Sequence, residues 1–329
     1  MFLELVRDVS QRDPKLAAQA LCGLRAYAQA PRRSRAAAKP EIARVRGASL
    51  RNHGGEGPIA LLVPSLINPP RILDLDEQVS LASAIVHMGN NVLLLDWGNA
   101  DDRSDLSVAG HVEHLLLPLL GSIGETVTLI GYCLGGTMAI AAANLVPVDR
   151  VVTLASPWNF ARYPEASKRV LMDMWCHSQT AAKSFGALPM EVLQAAFWSL
   201  DPERTVRKFA EFGGLDPKSA EARRFVELEE WSNEGEALPY PAAQELVENL
   251  FGADLSGQAS WSVGGRVVSD QLRVPSLHLT AERDLIAPPQ TAASGQSIAI
   301  VSGHVGMIVG SARYKLHQAL RNFLDPGCR

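Results

Sequence analysis

The hexapeptide Gly131-Tyr-Cys-Leu-Gly-Gly136 constrains this chain more than any other stretch. It joins an apolar run at 126–132, which reads as a buried strand, to LGGTMAIAAANL at 134–145, which reads as a helix. A strand that reverses directly into a helix tolerates only small residues two before and two after its apex, and it projects the apex side chain. The apex is Cys133, whose sulfur then lies at a helix N-terminus, where the dipole and free backbone N–H groups favour thiolate. The hexapeptide alone also admits a buried cysteine beside a glycine-rich helix start. Its position after the third recognisable core strand, with two more strand-and-helix units behind it, favours the nucleophile.

The surrounding pattern supports such a core. Segments 59–63, 91–95, 126–132, 150–154, 274–279 and 297–301 read as short apolar strands, and 76–88, 106–119, 134–145 and 311–323 as helices. Strands apolar on both faces, alternating with helices, imply a parallel sheet covered on both sides. After Ser156-Pro157 the rhythm stops, and 158–262 reads as a mostly helical insertion rich in tryptophan. Its tryptophans either pack helices together or line an alkyl site that excludes water. Residues 1–28 carry apolar side chains at helical spacing, with a break near Asp13-Pro14. Residues 31–51 hold seven basic residues, Arg32, Arg33, Arg35, Lys39, Arg44, Arg46 and Arg51, against the single acid Glu41. That segment reads as a solvated linker or, less simply, as a site for an acidic polymer or coenzyme phosphates. The expected division is therefore a leader over 1–51, a core over 52–157 and 263–329, and a cap over 158–262.

A nucleophile on such a turn needs an acid and a histidine later in the chain, in that order. Asp284 follows the strand at 274–279, in TAERDLIAPP, and His304 follows the strand at 297–301, in SGHVG. His87 and His317 fall in helical patterns and His278 within a strand, so packing or surface roles suit them better. An oxyanion hole would take the N–H of Leu134 and a second N–H from Val63-Pro-Ser-Leu-Ile-Asn68. Leu66 is the candidate donor there, because Pro64 has no N–H and the loop must turn at Pro64-Ser65; a plain turn is the alternative.

Composition excludes several other classes. A formal charge of −4 with 47% hydrophobic residues argues against a nucleic-acid protein with a general basic face. The apolar runs are too short to span a bilayer, and the N-terminus lacks the pattern of a signal peptide, so a cytoplasmic protein is expected. Cys22, Cys133, Cys176 and Cys328 lack the paired spacing of a disulfide framework or a zinc site.

The motifs resemble those of the polyhydroxyalkanoate synthase family. LLVPSLINPPRILDLDEQVSLASAIVHMGNNVLLLDWGNADD is similar to that family's proline-containing loop, Ile-Asn, Ile-Leu-Asp-Leu and strand ending in Trp. GYCLGGT resembles its cysteine-containing lipase-like box, ERDLIAPP its Asp-x-Ile-x-Pro, and SGHVGMIVG its Gly-His-Ile-x-x-x-Val. LPMEVLQAAFWSLDP, Glu230-Trp231, LVENLF and WSVGGRVVSDQLRVP follow in the family's order, so the resemblance covers about 40–323.

It implies an α/β-hydrolase fold: a mostly parallel central sheet covered by helices on both faces, with an inserted helical cap. It further implies transfer of 3-hydroxyacyl groups from coenzyme A to Cys133 and then to a hydroxyl acceptor, the growing polyester. His304 would be general base and Asp284 its partner, with family precedent also allowing the Asp to help activate the substrate hydroxyl. Asn68 and Asp74 match positions near the acyl pocket. No cofactor is implied, since coenzyme A enters as part of the substrate. The implied partners are a second copy or a second synthase subunit, and a polyester granule surface.

Two departures stand out. By the resemblance, a short form without the large N-terminal domain of the long synthases, of the kind that works with a second subunit, is expected, and Gly-Asn-Ala-Asp-Asp stands after Trp97 instead of Arg-Asn-Pro-Asp. A cysteine-dependent thioesterase, esterase or depolymerase, and a non-catalytic granule scaffold, therefore stay open as alternatives.

Overall fold

The computed structural model describes residues 2–33 and 37–325, so Arg35 and Cys328 lie outside the described residues. The apolar runs become a central sheet. Its strands are β1 (Glu41–Val45), β2 (Ala48–Gly54), β3 (Ile59–Val63), β4 (Asn91–Asp96), β5 (Val127–Tyr132), β6 (Arg150–Leu154), β7 (Ser276–Ala281) and β8 (Gln296–Ile300). They lie in the order β1-β2-β4-β3-β5-β6-β7-β8. From β4 to β8 neighbouring strands run parallel, whereas β2 pairs antiparallel with both β1 and β4. This is the α/β fold expected, with β5 near its centre and every β5 residue buried. Leu61, Leu62, Leu129, Ile130, Val151 and Val152 are fully buried there. Each such side chain contributes about 1.5–3 kcal/mol to folding.

The expected leader over 1–51 needs correction, because β1 and β2 occupy 41–54 and extend the sheet. Their arginines made the stretch look like a charge run. In the structure those charges are partnered: Arg44 and Arg51 meet Glu41, and Arg46 meets Asp105 at 2.6 Å. A charged outer strand is physically sensible, since it discourages pairing with another chain. The helix expected over 76–88 shortens to Leu81–Val86. Before it, Asp76 Oδ1 accepts from the Gln78 and Val79 N–H groups and holds the chain in a turn. The helix expected over 106–119 runs as Val108–His111, a π turn Val112–Leu116, and Leu117–Ile123.

By contacts the chain divides into Met1–Ala38 with Met190–Gly235, and Lys39–Pro189 with Glu236–Arg329. The expected cap, 158–262, is thus shared between two units. In the first, helices Phe2–Ser10 and Pro14–Gln29 pack with Met190–Ser199, Pro202–Phe212 and Ala220–Asn233. Asp13, Asp201 and Ser219 cap three of these helices by accepting the N–H three residues on. Gly23 allows the close crossing, because a Cβ there would lie 2.6 Å from the Phe209 carbonyl carbon. Its core includes Val6, Ala17, Ala20, Val206 and Phe209. Among the described residues no helix is long and apolar enough to cross a membrane.

Candidate active site

Cys133 sits between β5 and the helix Leu134–Leu145 with φ 55° and ψ −129°. That conformation costs an L-residue about 1–3 kcal/mol, so the surroundings must enforce it. They do so at four points. The Cys133 N–H donates to the Leu154 carbonyl at 2.9 Å. A Cβ on Gly131 would lie 2.5 Å from the Gly135 carbonyl oxygen, and one on Gly135 would lie 2.5 Å from that of Pro64. One on Gly136 would lie 2.6 Å from Ser156 Cβ. The glycines flanking the cysteine are therefore steric requirements of the turn, and Cys133 stays partly exposed among buried neighbours.

The acid and the histidine converge because β7 and β8 are parallel neighbours, with Ala281 opposite Ile300, so their loops leave the same end of the sheet. Two bonds stitch those loops together, Glu282 N–H to the Ile300 carbonyl and Arg283 N–H to the Ser302 carbonyl, each 2.9 Å. Asp284 is buried. Its Oδ1 accepts from the Ile286 and Ala287 N–H groups at 2.8 and 2.9 Å, and its Oδ2 lies 2.7 Å from His304 Nδ1. With Nδ1 donating to the carboxylate, Nε2 is left for Cys133. Burial alone would lower the His304 pKa. The negative charges of Asp284 and Cys133, with hydrogen bonds to both, overcome it and raise the pKa to about 10. Cys133, His304 and Asp284 are thus brought together, which equips the site for nucleophilic attack with proton transfer.

Leu134 opens the helix after Cys133, and Leu66 lies in the loop after β3; both are buried. Among the described residues neither backbone N–H donates to a protein acceptor. The Gly135 contact with the Pro64 carbonyl brings that loop against the helix start. Asn68 is half-buried in the same loop. Asp74 is placed differently: its carboxylate meets His53 Nδ1 at 3.0 Å, and its backbone bridges to Ser80. Burial would raise its pKa, but hydrogen bonds from His53 and Ser80 and the charges of His53 and Lys39 leave it lowered. These contacts tie the 74–80 loop to β2. His278 is a core residue held between Thr153 Oγ1 at 2.9 Å and the Ser294 carbonyl at 3.1 Å. Trp158, Trp175 and Trp261 are buried, with the last two donating to Glu248 and Glu245.

One neighbour escaped the sequence reading. Tyr132 packs its ring 5.1 Å from the His304 ring, and its buried hydroxyl has no partner among the described residues. Burial, with the Cys133 and Asp284 charges nearby, raises its pKa well above that of an ordinary tyrosine. Its only signal in the sequence is its place between Gly131 and Cys133.

No family model matches the chain. It is 25% identical over 270 residues to the poly(3-hydroxyalkanoate) polymerase subunit PhaC of Haloferax mediterranei, covering 76% of this chain and 55% of that protein. To the subunit of the same name from Allochromatium vinosum it is 24% identical over 288 residues, covering 80% of each. The chain therefore spans just over half the length of the Haloferax relative. A Mycobacterium tuberculosis protein assigned as a non-heme bromoperoxidase superposes with a TM-score of 0.51 at 13% identity, covering 89% of this chain and 98% of that one. This protein has the α/β-hydrolase fold, and its sequence is similar to those of poly(3-hydroxyalkanoate) polymerase subunits.

Proposed function

We propose that this protein is an acyltransferase of the polyhydroxyalkanoate synthase type, acting on 3-hydroxyacyl-coenzyme A. The observation that carries the reading is a cysteine, not a serine, on a strained strand-to-helix turn, facing a histidine held by Asp284 at 2.7 Å. His304 Nε2 takes the Cys133 proton, and the sulfur attacks the thioester carbonyl. The Leu134 and Leu66 N–H groups receive the developing oxyanion. The bond from carbonyl carbon to coenzyme A sulfur breaks, and His304 returns its proton to the departing thiol. An acceptor hydroxyl then loses its proton to His304 as its oxygen attacks the Cys133 thioester, and Cys133 leaves. Exchange of one thioester for another keeps the acyl group activated for that second step, which a serine ester would not.

The similar proteins are named as polymerase subunits, which supports a growing polyester as acceptor and a second copy or second subunit as partner. A granule surface as a further partner follows from the same resemblance. The test is incubation with 3-hydroxybutyryl-coenzyme A while following thiol release and polymer together. Thiol with polymer is expected. Thiol with free 3-hydroxybutyrate would make the protein a thioesterase, and no thiol would make it a non-catalytic partner.

A further inference from the structure

The residue that follows β4 starts a buried relay leading to the candidate oxyanion loop. Trp97 is buried, and its indole Nε1 donates to the Pro64 carbonyl at 3.1 Å. Gly135 packs on that same carbonyl, so the peptide held by Trp97 also touches the helix start that follows Cys133. On its other side the indole meets the His111 ring edge to face, with centroids 5.8 Å apart at 82°.

Partners fix the state of His111. Its Nδ1 lies 2.7 Å from the Ser107 carbonyl, which can only accept, so Nδ1 carries the hydrogen. Its Nε2 lies 3.1 Å from Arg103 Nη1, which can only donate, so Nε2 is a bare acceptor and the ring is neutral. Complete burial, against the Ser107 bond and aided by the Arg103 and Arg46 charges, keeps it so by lowering its pKa to about 3. Arg103 is itself 2% exposed, and its Nε has no partner among the described residues. A buried guanidinium with an unmet donor is costly and packs no core that an apolar residue would not pack better. Its visible effect is to lock the ring that locks the indole.

We propose that Trp97 is a positioning residue for acylation, its indole N–H fixing the Pro64 carbonyl and thereby the direction of the Leu66 N–H. The Pro64–Ser65 peptide is planar, and only the two dihedrals of Ser65 separate it from the plane carrying the Leu66 N–H. Ser65 is buried, which limits those dihedrals further. The inference rests on the reading of Cys133 as acyl acceptor and Leu66 as oxyanion donor.

The test compares wild type with Trp97→Phe in two reactions of Cys133. Acylation, by p-nitrophenyl acetate and by 3-hydroxybutyryl-coenzyme A, develops an oxyanion; alkylation by iodoacetamide does not. Acylation should fall about 10²-fold, the scale for a lost or misaimed oxyanion donor, with alkylation unchanged. Unchanged acylation, or equal loss in both reactions, would overturn the proposal. Should Trp97→Phe fail to fold, Trp97→benzothienylalanine keeps the indole shape and replaces the N–H by sulfur, and the same two rates decide. A wild type that takes acetyl but releases no coenzyme A would sink the substrate reading and leave this comparison intact. A wild type inert to both acyl donors would overturn both.

Discussion

Tyr132 and His304 lie ring against ring, with centroids 5.1 Å apart and planes at 35°, and Tyr132 directly precedes Cys133 in the chain. The tyrosine hydroxyl is buried and without a partner among the described residues, so its desolvation is not repaid there. Tyr132→Phe should therefore be as stable as wild type or up to about 1–3 kcal/mol more stable in urea unfolding, with its acylation rate kept. A loss of stability would mean that the hydroxyl has a partner such as a bound water. Tyr132→Leu, which removes the ring face from the imidazole, should slow acylation and lower the His304 pKa read from a pH profile.

The positive φ of Cys133 separates the reactivity of that position from its stability. Cys133→Ala and Cys133→Gly should both abolish thiol release. Glycine adopts this backbone without strain, so Cys133→Gly should be the more stable of the two by about 1 kcal/mol despite its larger unfolded-state entropy. Equal stabilities measured by thermal unfolding would mean that the turn relaxes on its own.

His304→Gln should slow acylation by about 10²–10⁴-fold, the usual worth of a general base. It should also change the pH dependence of stability. The folded-state pKa of His304 is raised to about 10, so protonated His304 stabilises the native state fully below about pH 6.5, and that share is lost as pH rises through about 10. Melting temperature should thus fall more steeply from pH 6.5 to 10 in wild type than in His304→Gln; parallel curves would contradict the raised pKa.

Asp284→Asn should keep the fold, since Oδ1 still accepts from the Ile286 and Ala287 N–H groups. The amide presents either an acceptor or a donor to Nδ1, and it removes one of the two anions that raise the His304 pKa. Acylation should drop by about 10⁴-fold, as when other triads lose the carboxylate that sets the tautomer. The pKa of His304 observed by NMR should move down; an unchanged value would assign the whole shift to Cys133.

Gly135→Ala should be severely destabilising, by more than about 2 kcal/mol, because its Cβ meets the Pro64 carbonyl, a backbone atom that cannot swing aside. A well-folded variant with acylation slowed but iodoacetamide reactivity kept would show that the oxyanion loop has moved instead.

Local order was enough to single out Cys133, Asp284 and His304 as candidates, and the structure places Asp284 against His304 and Cys133 on the strand-to-helix turn. The glycine spacing around Cys133 is a steric requirement written in adjacent residues, and Asp284 and His304 each follow a short apolar run bounded by turn residues, which reads as a strand. The parallel core was legible for the same reason, with β3 and β6 bounded as their apolar residues suggested. Arginine-rich β1 and β2 were not, because their place in the sheet depends on pairing with β4, which lies forty residues away, and on carboxylates such as Asp105. The division of 158–262 between two units was equally hidden, since helices at the N-terminus supply the other half of one core. Tyr132 behind His304, the engagement of Asp74 with His53, and the Trp97 bond to Pro64 all join residues with no periodic relation in the chain. The sequence by itself determined the parallel core and the glycine-flanked turn that carries Cys133. Tertiary structure decided what surrounds them, because burial, charge and unmet hydrogen bonds arise only where distant segments meet.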